Sequence, residues 1–222
     1  MEWAFNILKE KGFAPDSEFN IENLVEEKGR IRMVLPKTTN YQIGLVLREG
    51  DLLSELNKEV KHGNFDIVIM GSPHRKRMTN KISQFLDTSI FFVKNFNPNW
   101  NYKILLCVDD SRATKRAVIL STRISKRFDA EITSLTVSKT SFFGKGYRNA
   151  HVWAERYLKR KGIPFNSKLL SGNPVEVFVN EAGDDHIIIM GKAKGNEILK
   201  FILGSKPIHT AQRANCPVLL VN

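Results

Sequence analysis

Apolar runs alternate with helical patterns through the second half of the chain. The run 103–108 is typical of a buried strand. Behind it, apolar residues recur at helical spacing from Ala113 to Phe128, and Ser111 stands where a helix cap is expected. The same alternation predicts further strands at 131–137, 164–170, 187–190 and 217–221, and further helices at 150–161, from 174 and from 205. Five strands separated by four helices predict an α/β fold with a doubly wound, mainly parallel sheet.

The first 95 residues repeat the back half of this pattern. The run 66–70, closed by Gly71, matches the run 186–190, closed by Gly191. A run of apolar residues ended by glycine is typical of a strand that breaks into a loop. The counterparts of the third strand, third helix and fifth strand are 41–47, 52–60 and 89–93.

The first half lacks a convincing first strand, first helix and second strand. The run 31–35 is a candidate for one vacant strand position. We therefore expect a degenerate half over 1–96, a linker at 97–101 and a complete domain over 102–222.

Composition is that of an ordinary globular protein, with 42% hydrophobic and 26% charged residues. The first residues lack a basic region followed by an apolar stretch, and no apolar run approaches the roughly 18 residues of a membrane span. We expect a cytoplasmic protein.

Cys107 and Cys216 lie inside apolar runs, which indicates core thiols rather than a disulfide. The five histidines show no metal-ligand spacing, so no metal site is predicted.

The formal net charge of +11 requires an explanation. Basic residues cluster at 74–77, 126–127 and 159–161. They form either an anion-binding surface or solvated helix ends, where Lys and Arg are favoured. No cluster is interleaved with aromatic residues in the sequence, which makes a nucleic-acid partner unlikely.

Residues suited to a nucleotide follow several of the predicted strands. Asp109 follows the first strand, Gly191 closes the fourth, and Gly204 and Ser205 precede the last helix. The carboxyl ends of parallel strands meet at one edge of a sheet, where ligands bind. A carboxylate there can accept hydrogen bonds from ribose or adenine, and a helix N-terminus with a serine can meet phosphate.

Together with the final run 217–221, these residues resemble the universal stress protein family. Its nucleotide-binding members carry an aspartate after the first strand and a G-x2-G-x9-G-S/T signature before the last strand. The resemblance covers 101–222 throughout and 41–95 in part, as in tandem members with one degenerate copy. It implies a five-stranded sheet of order 3-2-1-4-5. It also implies that the last strands, 89–93 and 217–221, pair within the chain as a pseudo-dimer or between chains as a homodimer.

The resemblance also implies roles for particular residues. Val108 and Asp109 would contact adenosine, Val137 would contact adenine, and Gly191 would line the ribose and phosphates. The other residues assigned to this site are Lys194, Gly195, Gly204, Ser205 and Lys206.

The signature departs from the family at one position, where Lys194 replaces the middle glycine and Gly195 comes one residue late. If that position needs a positive φ, Lys194 costs about 1 kcal/mol or obstructs the phosphates. Alternatively, its ammonium group and that of Lys206 add positive charge beside the phosphates.

The resemblance implies a regulatory stress-response module that binds ATP or a related adenine nucleotide, with or without Mg²⁺. At most slow ATP hydrolysis is expected, because no residue stands out as a general base. Two alternatives stay open. One is a nucleotide-free interaction or regulatory module of a transporter or sensor, and the other is a nucleic-acid-associated basic protein.

Overall fold

The computed structural model describes residues 1–35, 43–71, 76–192 and 206–222. The chain divides into two compact units, Met1–Glu59 and Val60–Asn222. The sequence placed the division at 97–101. The division falls earlier because the strands at 67–71 and 89–93 belong to the same sheet as the C-terminal strands.

The first unit contains a small antiparallel sheet with strand order β1-β2-β3. Lys28 and Gly29 both have positive φ values, 49° and 71°, as a tight two-residue hairpin between β1 and β2 requires. Its elements are α1 (Glu2–Glu10), a single 3-10 turn (Ile21–Asn23), β1 (Val25–Glu27), β2 (Arg30–Val34), β3 (Gly44–Arg48) and the start of α2 (Leu52–Gly63). Its core comprises Phe5, Ala14, Met33 and Leu35.

This small sheet differs from the copy of a parallel fold that the sequence indicated. The run 41–47 was matched to a third parallel strand, but β3 pairs antiparallel with β2. The run 31–35, proposed for a vacant position in the parallel sheet, supplies most of β2. Strand-like runs are visible in a sequence, but their partners are not.

Ion pairs neutralise two arginines of the first unit. The guanidinium groups of Arg30 and Arg48 each lie 2.8 Å from the carboxylate of Glu59. Burial alone would raise the pKa of Glu59, but hydrogen bonds from Arg48 and Arg30 outweigh it and the pKa is lowered.

The second unit contains a seven-stranded sheet of order β4-β5-β10-β9-β6-β7-β8. Its elements are β4 (Ile67–Gly71), α3 (Lys76–Phe85), β5 (Ser89–Val93), β6 (Lys103–Cys107), α4 (Arg112–Phe128), β7 (Ile132–Ser138), α5 (Lys145–Arg160), β8 (Phe165–Ser171), α6 (Pro174–Ala182), β9 (His186–Gly191), α7 (Lys206–Arg213) and β10 (Val218–Val221). All neighbouring strands are parallel except β5 and β10. The predicted α/β fold with a mainly parallel central sheet is therefore confirmed.

The crossover connections decide which helices share a face of this sheet. The chain steps outward from β6 to β7 and from β7 to β8, so right-handed crossovers place α4 and α5 on the same face. It then returns to β9 and continues to β10, which places α6 and α7 on the opposite face. The packing agrees, since α4 contacts α5 and α6 contacts α7.

The last strand lies inside the sheet. β10 pairs in parallel with β9 on one side and antiparallel with β5 on the other, with Leu219 opposite Phe91. This is the intrachain arrangement of the two last strands, one of the two that the sequence left open.

Candidate functional site

The turn between β6 and α4 holds the carboxylate of Asp109 in a fixed position. Its Oδ1 atom accepts hydrogen bonds from the backbone nitrogen of Ser111 at 3.0 Å and from the hydroxyl of Thr114 at 2.5 Å. Ser111 caps α4, and its side chain accepts a bond from the backbone nitrogen of Thr114. No described group donates to the other oxygen, Oδ2, so that atom is available to a ligand.

Five of the nine predicted site residues line one cavity at the carboxyl ends of β6, β7 and β9. They are Val108, Asp109, Val137, Gly191 and Lys206. The sheet order reverses between β6 and β9, and such a switch point is where ligands of doubly wound sheets bind. Lys194, Gly195, Gly204 and Ser205 lie outside the described residues.

The cavity itself is small. Its volume is about 20 Å³, which is room for about one water molecule. The valines that were expected to contact the nucleoside are buried, with Val108 1% and Val137 2% exposed.

Gly191 lies against the start of α4. A Cβ atom there would lie 2.6 Å from the carbonyl carbon of Ala113 and 2.7 Å from the backbone nitrogen of Thr114. The space that the glycine leaves is taken by the first turn of α4. Gly191 is thus needed for helix packing at the rim of the cavity.

Lys206, at the start of α7, lies beside Tyr147 of α5. The two helices pack on opposite faces of the sheet. The ammonium group of Lys206 donates a hydrogen bond to the hydroxyl of Tyr147 at 3.1 Å and lies 5.5 Å from the centre of that ring. The sequence analysis missed both Tyr147 and Thr114. Thr114 could have been found, since it stands three residues after the capping Ser111. Tyr147 could not, because it comes from α5.

A larger cavity of about 680 Å³ lies elsewhere in the second unit. Apolar side chains of β4, β5 and the end of α4 line it, among them Ile69, Phe91 and Phe128. None of the five site residues that the structure describes lines it. It has the size of a ligand pocket, but the cluster around Asp109 has the fixed polar groups.

Two histidines make polar contacts that serve the fold. His151 is buried and lies 3.1 Å from the hydroxyl of Thr136 and 3.2 Å from that of Ser167. The Nδ1 atom of His186 lies 2.7 Å from the carboxylate of Asp185. Burial alone would raise the pKa of Asp185, but the bonds from His186 and Lys103 lower it.

The described ranges hold no group of three or more His, Cys, Asp or Glu side chains placed to bind a metal ion. Their helices are all too short or too polar to cross a membrane.

Fold and site together define a class of protein. A doubly wound sheet with a fixed carboxylate at its switch point is typical of α/β proteins that bind a ligand at the carboxyl edge of the sheet. The sequence model of the universal stress protein family matches residues 101–222. The chain belongs to that family.

Two solved structures with TM-scores above 0.5 agree on the fold. A universal stress protein from Archaeoglobus fulgidus DSM 4304 matches with 19% identity and a TM-score of 0.65, covering 79% of this chain and 67% of that one. A structure from Pseudomonas aeruginosa UCBPP-PA14 matches with 14% identity and a TM-score of 0.56, covering 78% and 69%. A universal stress protein from Archaeoglobus fulgidus in complex with dAMP has 17% identity, a TM-score of 0.44 and coverage of 55% and 98%. A search of curated proteins found no match.

Proposed function

We propose that this chain is a regulatory protein that binds one adenine nucleotide, ATP or a close relative, at the carboxyl edge of β6 and β9. Asp109 accepts hydrogen bonds from the nucleoside, Val108 and Val137 provide its apolar wall, and Lys206 attracts the phosphates. In this proposal Lys194, Gly195, Gly204 and Ser205 complete the phosphate end, with or without Mg²⁺.

The convergence of these residues on one cavity is the observation that carries the proposal. They come from three strands and a helix, yet they meet at the switch point of the sheet. The turn before α4 fixes one oxygen of Asp109 and leaves the other to a ligand. A carboxylate with one open oxygen is suited to a ribose hydroxyl or an adenine amino group.

Binding requires a change in this region. An adenosine is many times larger than a cavity of about 20 Å³. In this proposal Lys206 and Pro207, which line the cavity at the start of α7, move outward, and Lys206 gives up its hydrogen bond to Tyr147. The exchange of that bond for a phosphate contact is the regulatory step that we propose.

The tandem organisation is part of the same proposal. β4, α3 and β5 are what remains of a first copy, and their last strand pairs with β10 as a second subunit would. This remnant has no counterpart of β6 or of Asp109 among the described residues of the second unit. We therefore place the nucleotide in the C-terminal copy alone.

A nucleotide-free interaction module is the second candidate. The burial of Val108 and Val137 and the small size of the cavity favour it. So does the replacement of the middle signature glycine by Lys194.

Titration of the full chain with ATP, with and without Mg²⁺, separates the two candidates. Asp109→Ala removes the bond-accepting carboxylate and should weaken binding about 10- to 100-fold, the value of a hydrogen bond to a charged group. Asp110→Ala removes a neighbouring exposed carboxylate and is the matched control, with an expected change of less than twofold. Circular dichroism checks that both variants fold. Absence of ATP binding by the parent chain, or equal loss in both variants, would contradict the proposal.

A further inference from the structure

The excess positive charge of the chain is concentrated on two neighbouring helices. α4 and α5, with the residue that caps α5, carry twelve basic residues and one acidic residue, Glu155, a net charge of +11. The whole chain also has a formal net charge of +11, so the positive and negative charges of all its other residues cancel. We call this surface the α4–α5 face. Its basic residues are Arg112, Lys115, Arg116, Arg123, Lys126, Arg127, Lys145, Arg148, Arg156, Lys159, Arg160 and Lys161.

The charges of this face are exposed and not neutralised by the protein. All twelve basic side chains are exposed, and none forms an ion pair with a described acidic residue. In the first unit, by contrast, Arg30 and Arg48 are paired with Glu59, and Lys58 is paired with Glu55. Like charges on one surface repel one another and disfavour the folded state. A helix surface that only has to be solvated does not need so many like charges. A surface that binds a polyanion does need them, although their repulsion lowers stability.

Aromatic rings lie among these charges. Phe128 and Phe142 are each 72% exposed. The guanidinium carbon of Arg127 lies 5.8 Å from the ring centre of Phe128, and that of Arg148 lies 5.9 Å from the ring centre of Phe142. Exposed rings also occur elsewhere on the chain, at Trp3 and Phe65 for example, but on this face each exposed ring lies beside a guanidinium group.

A second aromatic group lies between the two helices. Trp153 and Tyr157 are stacked with their ring centres 5.4 Å apart. The ammonium group of Lys115 on α4 lies 5.6 Å from the ring centre of Trp153, and that of Lys161 lies 5.8 Å from the ring centre of Tyr157. The basic clusters 126–127 and 159–161 contain no ring themselves, but Phe128 directly follows the first and Tyr157 precedes the second by two residues. The pairing of Lys115 with Trp153 joins two helices and is visible only in the structure.

We propose that the α4–α5 face binds single-stranded nucleic acid. Proteins that bind single strands without sequence preference combine a positive surface that follows the phosphates with aromatic rings on which bases stack. Both components are present here along helices about 25 Å long. The charges alone would also suit a lipid surface, but rings paired with guanidinium groups favour unstacked bases. Duplex bases are already stacked and cannot use these rings.

The test measures binding of a fluorescent oligothymidylate of about 20 nucleotides to the full chain by anisotropy, over a range of salt concentrations. Arg116→Gln, Arg123→Gln and Arg156→Gln together should weaken binding at least about tenfold. They should also make the slope of log K against log salt shallower by about 2, since each lost phosphate contact contributes about 0.7 on a single strand. These three exposed side chains form no hydrogen bond, ion pair or ring contact with described residues, so the fold should be retained.

A matched control removes the same charge elsewhere. Lys11→Gln, Lys61→Gln and Lys81→Gln together change three exposed lysines outside the face and should alter binding less than twofold.

Phe142→Ala should weaken oligothymidylate binding about fivefold or more and leave competition by inorganic polyphosphate unchanged. Asp109→Ala should have no effect, so this proposal and the nucleotide proposal fail independently.

Several results would overturn the proposal. The first is no binding of the oligonucleotide by the parent chain, and the second is an equal effect of the two triple variants. The third is a combined result, in which polyphosphate competes as strongly as the oligonucleotide and Phe142→Ala has no effect on binding. Binding to phosphatidylserine vesicles without binding to the oligonucleotide would assign the face to a membrane surface instead.

Discussion

Gly191 and Gly71 close two strands of nearly the same sequence, yet their surroundings differ. At Gly191 a Cβ atom would meet the backbone of Ala113 and Thr114 at 2.6 and 2.7 Å. At Gly71 no described atom lies within 4 Å of that position. The glycine at the end of β9 is required by the first turn of α4. No described atom takes the corresponding position beside Gly71, so this glycine is free of that constraint.

We therefore expect Gly191→Ala to destabilise the protein by about 1–3 kcal/mol, the usual cost of forcing an extra group into a packed site. Gly71→Ala should change stability by less than about 0.5 kcal/mol, as surface substitutions do. Urea unfolding of the two variants measures the difference. Equal stability of the two would show that the contact between β9 and α4 is looser than the distances indicate.

The two cysteines are free thiols in the structure, and both are buried. Burial raises the pKa of Cys216 to about 11 and that of Cys107 well above its ordinary value. In the unfolded chain both thiols ionise near pH 8.5. The folded state therefore gains stability from neutral thiols below that pH and loses it as the pH rises toward the folded values.

The free energy of unfolding should thus fall between about pH 9 and pH 11, by up to about 1.4 kcal/mol per pH unit for each thiol. Cys216→Ala removes one of these thiols and should make the fall shallower. Lysines and tyrosines also titrate in this range, so the comparison is between the two slopes. Identical slopes would show that the Cys216 thiol ionises as readily in the folded state as in the unfolded state.

At the scale of elements, β10 joins β4 and β5 to the other strands of the second unit. It forms hydrogen bonds to β9 on one side and to β5 on the other, so it is an interior strand. A sequence shows an apolar run at 217–221 but does not show whether both of its edges are paired. Proline in an interior strand removes a ladder donor that cannot be replaced by water.

Leu219→Pro should therefore destabilise the whole second unit by about 3 kcal/mol or more. Leu219→Val keeps the backbone donor and removes one methylene from a buried side chain, so its expected cost is about 1 kcal/mol. Denaturant unfolding followed by circular dichroism compares the two. If the proline variant is as stable as the valine variant, β10 is not held on both sides.

The sequence predicted some elements of the fold correctly and missed the pairing of others. The alternation after residue 102 predicted every strand and helix bordering the cavity, because buried parallel strands and amphipathic helices have distinct periods. It also identified Asp109, since the end of a parallel strand is a recognisable position. The antiparallel sheet of the first unit was missed, because β3 is as apolar as a parallel strand would be.

At the scale of the whole molecule, the second unit concentrates its positive charge on one face of its sheet. The α4–α5 face carries a net charge of +11, while on the other face the two acidic residues of α6, Glu176 and Glu181, are balanced by the two basic residues of α7, Lys206 and Arg213. The sequence gives the total charge and the helices that hold it. The topology of the crossovers is needed to see that α4 and α5 are neighbours.

The central claim is a single adenine-nucleotide site per chain, at the carboxyl edge of β6 and β9. Isothermal titration of the full chain with ATP tests it most directly, because the measured stoichiometry counts the sites. One nucleotide per chain is the expected result, since Asp109 has no counterpart among the described residues of β4, α3 and β5. A stoichiometry of two, or no heat of binding with ATP, AMP or cyclic AMP, would contradict it.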